Sequence, residues 1–138
     1  MPEFQINYLA VGVAALATVF IGAVWYSPLL FHRLWVKAHG YSEEKVEQMR
    51  KTAGRAFMVS LFCYVVMAFV LAVLVSWTGV STVPQGAFLG FLVWIGFLAT
   101  LGLTAHMFSE KRLSTYLLDA GYQLVYALVM GVILAAWR

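Results

Sequence analysis

Four long apolar stretches, at about residues 6–27, 56–77, 85–108 and 114–137, constrain this chain more than any other feature. Each is close to the ~20 residues that cross a hydrocarbon core as a helix. Together they use up most of the 138 residues, which leaves no room for a soluble domain beside them. The chain is 63% hydrophobic and only 11% charged, whereas soluble domains are about a quarter charged. Open strands in lipid leave backbone groups unpaired, and the chain has no alternating apolar and polar pattern of the kind membrane barrels use. The expected fold is therefore one all-α integral membrane domain over residues 1–138. Short connections between the spans favour antiparallel neighbours, hence a compact four-helix bundle.

Charge placement orients the bundle. Arg33, Lys37, Lys45, Arg50, Lys51 and Arg55 all lie between the first two stretches, and Lys111 and Arg112 between the last two. The middle connection has no basic residue. The positive-inside bias then places both basic connections in the cytoplasm and both termini outside, with Arg138 the only dissenter. The residues before the first span carry Glu3 and no Lys or Arg, the reverse of a signal peptide's basic start. A net charge of +3 fits membrane orientation and attraction to the lipid bilayer surface, so no nucleic-acid partner is expected. Cys63 is the only cysteine, which excludes an intramolecular disulfide and a cysteine-based metal cluster.

Local signals refine this picture. Trp25-Tyr26-Ser27-Pro28 ends the first span: Trp and Tyr favour the headgroup level, and Pro28 biases Ser27 away from helical geometry. Residues 29–39 place Leu30, Phe31, Leu34, Trp35 and Ala38 on one arc and His32, Arg33 and Lys37 on the other, the pattern of a short interfacial amphipathic helix. Gly40 breaks it. Ser42 then caps a polar helix with Glu43, Glu44 and Glu47 in its early turns, expected to run through Thr52 toward the second span with a bend at Gly54. Trp94 lies deep in the third span, where its indole N–H needs a partner.

The best pointer to a site is Asp119. A carboxylate at the centre of a membrane helix costs about 2.5–3.5 kcal/mol on insertion scales, so it needs a partner or a task. Asp119 lies about 7 Å below the start of the fourth span and belongs to a polar stripe. Thr115, Asp119, Tyr122, Gln123 and Tyr126 follow three- and four-residue spacings and share one helix face. His106, at the end of the third span, shares a face with Gly102 and Ala99, and Trp25 and Tyr26 end the first span in the same leaflet. These groups are expected to converge on one pocket, with Asn7 and Thr18 extending a polar path outward. Histidine exchanges protons near neutrality, so His106 is a workable relay for Asp119. On the fourth span, Ala127 and Gly131 form a small-xxx-small pair able to seat a neighbouring helix or a second subunit.

Each group also has a purely structural explanation. Asp119 near a helix N-terminus is held by the dipole and by Tyr or Trp neighbours; His106 packs and hydrogen-bonds; Trp25 and Tyr26 anchor the interface; the methionines pack. No metalloprotease, nucleophile-elbow or phosphate-loop motif is present, and one membrane carboxylate gives no acid/base pair. No enzyme activity, catalytic residue, metal or cofactor is expected.

Ile6-Asn7-Tyr8-Leu9-Ala10-Val11, Gly22-Ala23-Val24-Trp25-Tyr26-Ser27-Pro28-Leu29 and Asp119-Ala120-Gly121-Tyr122 resemble, in that order, the bacterial membrane domain-of-unknown-function family 1761. The resemblance covers nearly the whole chain and implies the multi-pass fold and the marked residues without supplying an activity. The family pattern often has His after Asp-Ala-Gly-Tyr where this chain has Gln123, so a role needing a titratable group there does not carry over. The reading is a homo-oligomeric inner-membrane protein that binds or passes a small solute, ion or proton through a pocket of Asp119, Tyr122, Gln123, His106, Trp25, Tyr26, Asn7 and Thr18. The alternative is a non-transporting scaffold or accessory subunit whose polar residues only lock helices together, with segment 29–55 carrying the partner contact.

Overall fold

A computed structural model describes residues 5–137; Glu3 and Arg138, used above for orientation, lie outside the described residues. The described chain is all helical: α1 (Tyr8–Trp25), α2 (His32–His39), α3 (Glu43–Lys51), α4 (Ala53–Thr78), α5 (Val83–Val93), α6 (Ala99–Phe108) and α7 (Leu113–Ala136). A π-helical turn, Trp94–Leu98, joins α5 to α6 into one continuous rod, Val83–Phe108. With α1, α4 and α7 this makes four helices long and apolar enough to cross a membrane.

Local chemistry sets the ends. The Asn7 side chain accepts from the Ala10 N–H at 3.1 Å and starts α1, which stops at Trp25 ahead of Pro28. Ser42 caps α3 by accepting from the Lys45 N–H, and Thr82 caps α5 by accepting from the Gln85 N–H. Gly40 and Gly79 adopt the left-handed conformation that ends α2 and α4. Glu110, at φ 56°, takes the same conformation after α6, where the Lys111 N–H reaches the His106 carbonyl and the Glu110 N–H that of Met107. The expected continuity from α3 into the second span fails at Thr52 rather than bending at Gly54. The Thr52 hydroxyl turns back to the Met49 carbonyl at 3.2 Å, and the backbone leaves the helix for one residue.

α7 is the central element, packed by α1, α4 and α5. Its tightest neighbour is α5. Gly86 and Gly90 face Ala127 and Gly131 so closely that a methyl at any of these three glycines would meet a backbone carbonyl of the other helix. The Ala127–Gly131 pair thus seats a helix of its own chain. Its partner stripe, Gly86-x-x-x-Gly90, is the same small-residue device, which lets backbones approach where side-chain bulk would hold them apart.

The interior is small and the exterior large. Buried positions include Ala10, Ala14, Ala15, Ala68, Ala72, Ala99, Ala120, Ala127 and Ala135, whereas Phe20, Phe62, Phe88, Phe97 and Leu101 are at least 61% exposed. A water-soluble bundle has the opposite distribution, and exposed apolar surface on this scale marks a surface that meets a membrane or another protein.

The interlock predicts a contrast between glycines. Gly90→Leu must push α5 off α7 and should lower stability in detergent by at least the ~1–3 kcal/mol typical of core overpacking. Gly12→Ala meets nothing within 4 Å and should leave stability within about 1 kcal/mol of the parent. Equal effects from the two substitutions in thermal denaturation would contradict this packing.

Candidate functional site

Asp119 lies on the inward stripe of α7, between buried Thr115 and buried Tyr122, with its side chain 27% exposed. Its neighbours arrive from α1 and α6, and their approach depends on small residues. Gly22 leaves room for the Tyr122 hydroxyl, and Gly121 leaves room for the Trp25 ring. The two segments therefore mesh: Trp25 Nε1 donates to the Leu118 carbonyl at 3.2 Å, and the Tyr26 hydroxyl donates to Asp119 Oδ1 at 2.6 Å. The latter length suits a hydroxyl bonded to a carboxylate. Ring packing continues from Tyr26 to Tyr122, Tyr126 and Tyr64 with centroids 4.9–5.5 Å apart.

The π-helical turn brings His106 to the other carboxylate oxygen. On an unbroken helix, His106 and Gly102 lie roughly 160–200° around from Gly86, on the far side from α7. One extra residue in the turn reduces that to roughly 60–100°. Trp94, at the start of the turn, donates its indole N–H to the Ala120 carbonyl at 2.9 Å, beside Asp119. Tyr116 ties the next turn by donating to the Ala99 carbonyl at 2.9 Å.

Proton placement follows from the partners. His106 Nδ1 is 2.8 Å from the Gly102 carbonyl, which only accepts, so Nδ1 carries a hydrogen. In the neutral ring Nε2 then presents a lone pair, 3.5 Å from Asp119 Oδ2. Nε2 is buried and has no hydrogen-bond partner among the described residues. With His106 neutral and Asp119 ionised, these two atoms are both acceptors. A proton gained by His106 makes Nε2 the donor of a charge-assisted hydrogen bond to the carboxylate.

A cavity of about 390 Å³ opens beside Asp119, lined by Tyr26, His32, Trp35, His39, Tyr41, Lys111 and Asp119. Trp35 meets Tyr26 and Tyr41 edge-on, with centroids 6.2 and 5.4 Å apart. Tyr26 also walls a second cavity of about 230 Å³ toward α4, lined by Gly22, Ser60, Tyr64 and Tyr122.

Of the residues singled out by sequence, Asp119, Tyr26 and His106 converge, Trp25 is bonded to the residue before Asp119, and Tyr122 packs edge-on against Tyr26. The Tyr122 hydroxyl donates to the Thr18 carbonyl at 2.9 Å and, having one proton, accepts from Tyr64 at 3.2 Å. Gln123 is half-buried with its amide oxygen beside Gly102. Thr18 takes part through its backbone only; its hydroxyl is buried and donates to the Ala14 carbonyl. Asn7 is at the opposite end of α1, capping that helix and donating to the Trp137 carbonyl at 3.3 Å. Buried Ala10, Val11, Ala14 and Ala15 separate Asn7 from Thr18, so no polar path joins them along α1. His32, His39, Tyr41 and Lys111 were not singled out for the site. The three-, four-residue spacing of His32, Trp35 and His39 was the available signal, since it puts all three on one face of α2.

Among the described residues, the fold and site define an all-helical protein with four membrane-length helices and a half-buried Tyr–Asp–His cluster. A family model described as a protein of unknown function (DUF1761) matches residues 9–135. The chain belongs to that family, and the match spans both meshed segments. No curated protein and no solved structure matches it.

Tyr26→Phe keeps the ring and removes the proton donated to Asp119; the expected loss of stability is about 1–3 kcal/mol. In a cycle with Asp119→Ala the two losses should fall short of additivity by a similar amount. Full additivity in denaturation of the four proteins would show that the 2.6 Å contact contributes nothing.

Proposed function

We propose that the four long helices cross the inner membrane and that the Asp119–His106 pair is a proton- or small-cation-binding site open to the cytoplasmic side. The observation that carries this reading is the buried, unpartnered His106 Nε2 lying 3.5 Å from Asp119 Oδ2, with Asp119 at the wall of an open cavity. A pair arranged only for packing gains by holding a permanent hydrogen bond. With a neutral His106 and an ionised Asp119, this pair is completed by a proton or another cation. Intramembrane Asp and His are the usual groups of proton and ion pathways.

Orientation follows the basic residues. The cavity opens at the end of the bundle carrying α2, α3 and the α6–α7 connection, where Arg33, Lys37, Lys45, Arg50, Lys51, Lys111 and Arg112 cluster. The positive-inside bias puts that end in the cytoplasm and both termini outside. The other half of the bundle is closed by Ala10, Val11, Leu71, Val75 and Leu134, which favours binding and exchange from one side over a standing channel. A homo-oligomer remains part of the proposal, because the Ala- and Gly-rich core encloses only a narrow site.

A second reading has its own support. Tyr122, Trp94, Trp25 and Tyr116 all spend their donors on backbone carbonyls of neighbouring helices, the behaviour of residues that lock a scaffold. An accessory subunit of that kind contacts its partner through segment 29–55 and co-purifies with it in fixed ratio.

Two measurements separate these readings. The chain should stay with the membrane fraction after alkaline carbonate washing; release into the supernatant contradicts insertion. In liposomes under an imposed pH gradient, the parent should bind or exchange protons or small cations above empty vesicles, and Asp119→Asn should return the signal to the empty-vesicle level. Equal signals from parent and Asp119→Asn across protons and a panel of small cations would leave the scaffold reading standing.

A further inference from the structure

A cavity larger than the Asp119 pocket lies apart from it. It has a volume of about 600 Å³ and runs between α2 and α7, floored by Trp25 and Gly121 and walled by Phe31, Leu34, Leu117 and Leu118. Lys37, Arg112 and Ser114 are its polar lining residues. Their placement is ordered. Arg112 and Ser114 lie at the start of α7, so the polar groups that α7 supplies are at one end of the groove, and Lys37, in the last turn of α2, lines the same cavity. Gly121 lies nine residues past Arg112, about 13 Å deeper into the bundle, and beyond Ser114 the lining between them on α7 is Leu117 and Leu118.

Neither Lys37 nor Arg112 has an ion-pair partner among the described residues, where Arg50 pairs with Glu47 and Asp119 faces His106. Two cations beside one groove repel each other unless an anion lies between them. Below them, Leu34 and Leu117 are 55% and 60% exposed and line a slot that is apolar along its length. The floor is rigid: the Trp25 indole is fixed by its bond to the Leu118 carbonyl and by Phe31, whose ring centroid lies 4.7 Å away.

We infer that this groove is a binding site for one anionic phospholipid, its phosphate held by Lys37, Arg112 and Ser114 and an acyl chain lying along Leu34, Leu117 and Trp25 toward Gly121. The charge and the depth agree. Basic pockets on the cytoplasmic side of membrane helices select anionic headgroups, and a lipid of that leaflet points its chain inward along the groove. A soluble phosphate compound satisfies the cations but leaves the apolar slot exposed. The inference rests on the membrane reading but is independent of what Asp119 binds. The bound lipid would also seat α2, which carries the His32, Trp35 and His39 wall of the neighbouring cavity.

The test is native mass spectrometry of the full chain extracted from membranes into detergent, offered equal amounts of phosphatidylglycerol and phosphatidylcholine. Failure of the membrane reading itself appears earlier, as absence from the washed membrane fraction. The expected result is retention of one phosphatidylglycerol with a preference of about tenfold. Lys37→Gln/Arg112→Gln should abolish that preference, and Lys45→Gln/Lys51→Gln, equal in charge but outside the groove, should keep it. Should the groove variant not fold, phosphatidylglycerol with a photoreactive acyl chain must label the parent at peptides containing Leu34 or Leu117. Equal retention of both lipids, equal loss in both double variants, labelling elsewhere, or displacement of the lipid by inorganic phosphate alone would each overturn the proposal.

Discussion

The polar face of α7 is the constraint on which the rest of the structure depends. Thr115, Asp119, Tyr122 and Tyr126 share the inward stripe of a mostly apolar helix, and the helix cannot supply partners to all of them. Thr115 satisfies itself by donating to the Arg112 carbonyl at 2.7 Å. Tyr122 reaches α1 and α4, and Asp119 reaches α1 and faces α6. Satisfying these groups requires α7 to be surrounded. Hydrogen bonds between membrane helices average only about 0.6 kcal/mol, so several must act with close packing to fix one arrangement.

Small residues make that packing possible in two different ways. At the end of α7 far from Asp119, Gly86, Gly90 and Gly131 bring α5 and α7 to backbone contact. Near Asp119, Gly22 and Gly121 instead admit large rings, so that Tyr122 and Trp25 cross between α1 and α7. One end of the bundle is thereby closed by backbone and the other held open by aromatic props. The π-helical turn lies between the two regimes and re-aims α6 after the α5 interlock, which places His106 in front of the carboxylate. Such turns recur at functional sites because they re-aim a helix face without breaking it.

Much of this was legible because membrane length, capping and helical spacing are local properties. The four apolar stretches, the stop before Pro28, the Ser42 cap and the inward stripe of α7 all follow from neighbours within a few residues. The need of the Trp94 indole for a partner was equally readable, and Ala120 supplies it. What was not legible depends on which faces meet. Spacing alone assumes regular helices, so the third span read as unbroken and the turn at Trp94–Leu98 went unseen, although the small-residue face shifts between Gly86–Gly90 and Ala99–Gly102. Asn7 and Thr18 share polarity with Asp119 but not its neighbourhood, because polarity says nothing of the buried alanines between them. The α2 wall of the cavity was hidden for the opposite reason: sorting by polarity put His32 and Trp35 on different arcs, although their three-residue spacing gives them one face, and that face lines the cavity beside Asp119.

The central claim is that Asp119 is kept for what it binds rather than for what it holds together. The most direct test is thermal denaturation of purified Asp119→Asn beside the parent, in one detergent at neutral pH. Asn preserves the shape and an acceptor oxygen for the Tyr26 hydroxyl while removing the half-buried charge and its repulsion from His106 Nε2. The account predicts a melting temperature equal to or above that of the parent. A clear fall would contradict it and make the carboxylate a structural element of the bundle.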